Sequence, residues 1–147
     1  MKTKHEIIDE TVAAYDGKPR SLKESSYSSC LYKGPNNLRC AFSRCCTPQG
    51  IDMLGQVEGA GVANIFRTDG GLHTTANIDV AQVETAGIFI GVSDIDDILL
   101  PEYRGYDVGF WAHIQSLHDS NINWNDWDKK LSTRGKLAVD QMKEMYT

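Results

Sequence analysis

Phe110, Trp111, Ile114, Leu117 and His118 fall at relative positions 0, 1, 4, 7 and 8, the spacing that brings side chains onto one face of an α-helix. A helix with so apolar a face must bury it, so the chain has to supply a core that covers two aromatic rings and two aliphatic side chains. The spacing places this central helix from about residue 106 or 107 to 119. Two further stripes repeat the pattern. Ile7, Ile8, Thr11, Val12 and Tyr15 follow a capping box, in which the Thr3 hydroxyl accepts from the backbone N–H three residues on and Glu6 reaches back. That helix runs from about residue 4 to 16, ended by Gly17 and Pro19. Ala138, Val139, Met142, Met145 and Tyr146 line a last helix capped by Ser132 or Thr133.

Between the helices the pattern changes. Cys30-Leu31-Tyr32-Lys33 and Leu38-Arg39-Cys40-Ala41-Phe42 read as two short alternating runs around Gly34-Pro35-Asn36-Asn37, which predicts a β-hairpin. Residues 72–92 are rich in Thr, Val, Ile and Phe and predict a second β element with a turn at Thr85-Ala86-Gly87. Residues 18–29 read as a polar surface loop, residues 47–61 show little periodicity, and residues 62–66 fit one or two helical turns. Ser93 or Asp94 caps a short helix over residues 95–100, closed by Pro101. In the segment 121–127, asparagines and aspartates favour turns while Trp124 and Trp127 call for burial, so this loop is expected to be pinned to the core. The expected fold class is α+β: a single compact domain over residues 1–147, with a hairpin-based sheet packed against about three amphipathic helices and an inserted β element.

A chain of 147 residues can bury one sizeable core without disulfides or metal. Its 15 basic and 20 acidic residues are interleaved, for a formal charge of −5. A nucleic-acid partner would call for a basic patch, and a DNA mimic for dense rows of carboxylates. No apolar run approaches the roughly 20 residues that span a bilayer, and the N-terminal segment turns amphipathic at once instead of entering a signal core. The cytoplasm is the expected compartment.

Four cysteines, Cys30, Cys40, Cys45 and Cys46, with His73, His113 and His118 as co-ligands, are candidate ligands for a zinc site. They lack the paired Cys-x2-Cys or His-x3-His knuckle that aims two ligands at one ion, so buried or half-buried thiols are expected and no cofactor. A hairpin register that set Cys30 opposite Cys40 would bring the two to disulfide distance, although a cytoplasmic setting keeps them reduced. His118 and Asp119 resemble an acid–base pair, but Asp119 lies about 100° round the helix from the stripe, and a satisfied core histidine is expected instead. Gly59-Ala60-Gly61 lacks the rest of a phosphate cradle. Asp94, Asp96 and Asp97 lack the glycine and distal glutamate of a calcium loop and suit a helix N-terminus.

Several short pieces carry a resemblance. They are Cys30-Leu31-Tyr32-Lys33-Gly34-Pro35 running to Arg39-Cys40-Ala41-Phe42, Glu58-Gly59 followed by Val62, Leu100-Pro101-Glu102, and Leu117-His118-Asp119 with Trp124. On these the chain resembles a family of small uncharacterised proteins encoded by bacteriophages and their prophage-like relatives, with residues 68–97 departing from the pattern as an insertion. The resemblance implies a phage accessory protein in the host cytoplasm and brings no activity or ligand. The leading expectation is a non-enzymatic protein that binds a host factor or a small signalling molecule, with a counter-defence role. Arg67, His73, Thr74, Thr75 and Arg104 are the candidate binding residues, and the 72–92 segment offers strand edges for a homo-oligomer. The alternative is a small hydrolase or nucleotide-processing enzyme. It would use His118 or His73 as acid–base, with Asp119, Cys45, Cys46 or Arg104 nearby. A third is a structural zinc domain built on the four cysteines.

Overall fold

The computed structural model describes residues 1–22, 31–58, 61–66 and 94–147. Among the described residues five α-helices carry the fold: α1 (Lys4–Tyr15), α2 (Pro48–Gly55), α3 (Val62–Ile65), α4 (Val108–Asp119) and α5 (Thr133–Met145). Single 3-10 turns at Pro35–Asn37, Ser43–Cys45, Ile95–Asp97, Pro101–Tyr103 and Asn121–Asn123 link them.

Helix starts follow local chemistry. The Glu6 N–H donates to Thr3 Oγ1 at 3.1 Å and the Thr3 N–H to Glu6 Oε2 at 2.9 Å, so the capping box is complete. Asp107 caps α4 by accepting from the Phe110 N–H at 2.9 Å, and Ser132 caps α5 by accepting from Gly135 at 3.0 Å. Each such cap contributes about 1 kcal/mol. Helix α4 packs against α1, α3 and α5, and its stripe is buried as expected, with Phe110, Trp111, Ile114 and His118 fully enclosed. Edge-on rings at its centre, Phe42 with Trp111 at 5.5 Å and Phe110 with Trp111 at 5.3 Å, are in the favourable geometry for aromatic pairs.

The α+β expectation is overturned. Among the described residues the fold is helical and has no strand; isolated bridges pair Cys46 with Leu99 and Trp124 with Leu131. Where a hairpin was expected, Asn36 and Asn37 adopt left-handed conformations in a tight turn closed by the Gly34 N–H on the Leu38 carbonyl at 3.0 Å. A hairpin needs the flanking amides to pair across the turn, and here they go elsewhere. The Tyr32 and Lys33 N–H groups donate to the two oxygens of Glu58 at 2.7 and 3.2 Å. The Phe42 N–H donates to Gln115 Oε1 at 3.1 Å, and the Tyr32 carbonyl accepts from Ser43 Oγ at 2.6 Å. Cys40, Ala41 and Phe42 are all enclosed, so this segment does not alternate but runs through the core. The expected β element at 72–92 lies outside the described residues, as does most of the 68–97 insertion.

Two further differences are local. Helix α2 arises in a stretch expected to be irregular: Thr47 accepts from the Gly50 N–H at 3.1 Å and Pro48 opens the first turn. The loop after α4 is pinned by Trp124, whose indole N–H donates to the Leu117 carbonyl at 2.9 Å, whereas Trp127 stands out from the surface at 84% exposure.

Candidate functional site

His118, on the last turn of α4, is at the centre of a buried polar network. Its Nδ1 lies 2.7 Å from Asp119 Oδ1, and its Nε2 lies 3.3 Å from the backbone nitrogen of Ser21. The amide can only donate, so Nε2 is the acceptor, and the proton sits on Nδ1 facing the carboxylate. Asp119 is the final helical residue before Ser120 turns extended, which frees its side chain to fold back on its neighbour. The expectation that adjacency would keep the two apart is corrected. The same carboxylate oxygen accepts from Gln115 Nε2 at 2.9 Å, and Arg20 closes the far side by donating to the His118 carbonyl at 2.6 Å and to Asn121 Oδ1 at 2.8 Å. The Tyr15 ring packs edge-on at 4.6 Å. Burial lowers the imidazole pKa below its ordinary value; the hydrogen bond to Asp119 works against this shift, and Arg20 reinforces it. A buried neutral ring with both nitrogens engaged is a structural hub.

A second cluster gathers around Glu10 of α1. Its Oε1 accepts from the Tyr103 hydroxyl at 2.6 Å and from Arg44 Nη1 at 3.2 Å, and its Oε2 pairs with Lys2. Burial alone would raise this carboxyl, but the hydrogen bonds from Lys2, Tyr103 and Arg44 outweigh it and hold the pKa below the usual range. The Arg44 guanidinium also lies over the Tyr103 ring, with Cζ 5.9 Å from the centroid.

A third cluster is aromatic. Lys4 Nζ lies 4.6 Å from the Tyr146 ring centroid, 5.5 Å from Tyr106 and 5.7 Å from Phe110. The ammonium thereby ties the start of α1 to α4 and to the end of α5. His113 Nδ1 hydrogen-bonds to the Tyr146 hydroxyl at the rim.

Of the residues singled out from the sequence, Arg67, His73, Thr74, Thr75 and Cys30 lie outside the described residues. Arg104 donates Nε to the Leu99 carbonyl at 3.0 Å and shares no partner with His118. Cys45 and Cys46 are buried and donate weakly to the carbonyls of Ala41 and Phe42 at 3.6 and 3.4 Å. Among the described residues no three His, Cys, Asp or Glu side chains gather as a metal-holding group, and no helix is long and apolar enough to cross a membrane. Glu10, Arg44, Tyr103 and Lys4 were not anticipated. The one available signal was Glu10, a carboxylate close to the edge of the α1 stripe.

No protein-family model, curated protein or solved structure matches the chain.

Proposed function

We propose that the protein acts by binding and not by catalysis, as a small accessory protein of the phage-encoded kind its sequence resembles. Its target would be a host factor or a small signalling molecule. The observation that carries this reading is the state of His118. A general acid–base needs a nitrogen within reach of a substrate proton, and here one nitrogen is held by Asp119 and the other by a backbone amide. The buried thiols point the same way, since burial pushes Cys45 up to about 12 and Cys46 up as well, far from the thiolate a nucleophile needs.

Native mass spectrometry of the protein captured from bacterial extract tests the reading. A stoichiometric companion, protein or small molecule, is expected, with its mass unchanged on incubation. Conversion of an extract compound that His118→Asn abolishes would overturn the proposal, and so would the absence of any stoichiometric companion.

A further inference from the structure

We propose that Arg44 anchors a site for a compact oxyanion, a carboxylate or a phosphate group, beside the Glu10 cluster. A guanidinium offers two kinds of edge. The Arg44 Nη1 end is used, donating to Glu10 at 3.2 Å. The other edge, formed by Nε and Nη2, is buried and has no acceptor in hydrogen-bonding geometry; the Tyr103 hydroxyl beside the guanidinium is already engaged as a donor to Glu10. That edge is the planar fork whose two parallel N–H bonds fit the paired oxygens of a carboxylate or phosphate.

Trp111 adds an independent observation. It is 0% exposed, and its indole Nε1 is likewise buried without a hydrogen-bond partner. Arg44 and Trp111 both touch Tyr103, the guanidinium at 5.9 Å from the ring centroid and the indole edge-on at 6.3 Å. Three buried donor nitrogens are thus left unmet on two residues that share one neighbour. Arginine and tryptophan side chains have no acceptor, so they cannot satisfy each other, and only a group that brings oxygens can. Buried donors are normally paired, and exceptions call for a missing partner.

Charge favours an anion as that partner. Two cations, Lys2 and Arg44, face one carboxylate, and Glu10 is already engaged by both and by Tyr103. Glu6 and Glu102 also act on Lys2, whereas Arg44 is paired with Glu10, so Arg44 is the cation an added anion would meet. Arg44 keeps 25% of its side chain exposed while the Nε–Nη2 edge itself is enclosed, so an entering group reaches that edge by displacing the side chains over it. This inference rests on the binding reading and deepens it by naming a ligand chemistry: an oxyanion held and not turned over.

The test follows the Arg44 Nε–H and Trp111 indole N–H signals by heteronuclear NMR. Inorganic phosphate, and separately acetate, are titrated into the full chain through the millimolar range at constant ionic strength, with chloride as the control salt. Saturable shifts of both signals with phosphate or acetate are expected, and whichever saturates names the class. Arg44→Lys, which keeps the charge but loses the fork, should weaken the affinity by about tenfold or more. The Trp124 indole, held by the Leu117 carbonyl, reports that the variant is folded. A linear response, a chloride curve that matches the other two, or an unchanged Arg44→Lys curve overturns the site and leaves a water or an adventitious ion only. If Arg44→Lys does not fold, the wild-type comparison with chloride decides alone. Loss of the anion site with a stoichiometric companion still retained would sink this inference and leave the binding reading standing.

Discussion

Asp119 accepts a hydrogen bond from the Nδ1–H of His118, its neighbour in the chain, at 2.7 Å, and so fixes which nitrogen is left to accept from Ser21 across 97 residues of sequence. The contact makes His118 a joint between α4 and the segment after α1. It also sets how that joint responds to acid.

Burial, the largest influence, keeps the folded imidazole below its ordinary pKa, against the raising effect of Asp119 and with the lowering effect of Arg20. The unfolded ring binds a proton near pH 6.5, while the folded ring does not until lower pH. Stability is therefore full above about pH 6.5 and falls as the pH drops through that value. Urea midpoints should be lower at about pH 5.5 than at about pH 7.5. His118→Gln should be less stable overall but should flatten that difference; an equal slope in the variant would rule the mechanism out.

Glu10 responds at lower pH. Burial raises its carboxyl, but the hydrogen bonds from Lys2, Tyr103 and Arg44 prevail and its folded pKa is depressed. Its contribution is present above the unfolded carboxylate value and is lost as the pH falls through the folded one. Glu10→Gln should cost about 1–3 kcal/mol near neutral pH, because it also leaves Arg44 without its carboxylate. The gap from wild type, read by urea unfolding, should close toward pH 3 or so. A constant gap would mean that the charge plays no part.

Burial keeps the Cys45 and Cys46 thiols protonated, and the attacking species in alkylation is the thiolate. Iodoacetamide at about pH 8 should leave both unmodified in the folded protein and label both in denaturant, as mapped by peptide mass spectrometry. Rapid labelling of either in the native state would contradict its burial.

Much of the helical frame was legible. The α1, α4 and α5 stripes stand beside residues that cap them, Thr3 with Glu6, Asp107 and Ser132, so periodicity and end chemistry agree. Helix α2 was missed because its glycines hide a short stripe, although Thr47 followed by Pro48 was a start signal in plain view. The hairpin was misread for a different reason. Glu58 and Gln115, 26 and 73 residues away from Tyr32 and Phe42, take the amides a ladder would need. Long-range pairing of that kind leaves no trace in local spacing. The same holds for the Arg44 fork, since an arginine between a serine and a cysteine looks like ordinary surface until Glu10 and Tyr103 close around it.

Gly135 shows how tightly the end of the chain is docked. It sits in the first turn of α5, where an added Cβ would lie 2.2 Å from the Asn123 carbonyl oxygen and 2.6 Å from Leu131 Cδ1. That oxygen cannot retreat freely, because it accepts at 2.8 Å from the N–H of Ser132, the residue that caps the helix. Gly135→Ala must therefore shift α5 or break the Ser132 contact, and should destabilise by about 2–3 kcal/mol. Gly109 in α4 is the control: a Cβ there meets only Asp107 Oδ1 at 3.5 Å and Cγ at 3.9 Å, ordinary contact distances. Gly109→Ala should be neutral or stabilising by up to about 1 kcal/mol, through helix propensity. Urea unfolding of both variants separates the two effects. If Gly135→Ala is as well tolerated as Gly109→Ala, the close approach of α5 to Asn123 is not part of the folded state in solution.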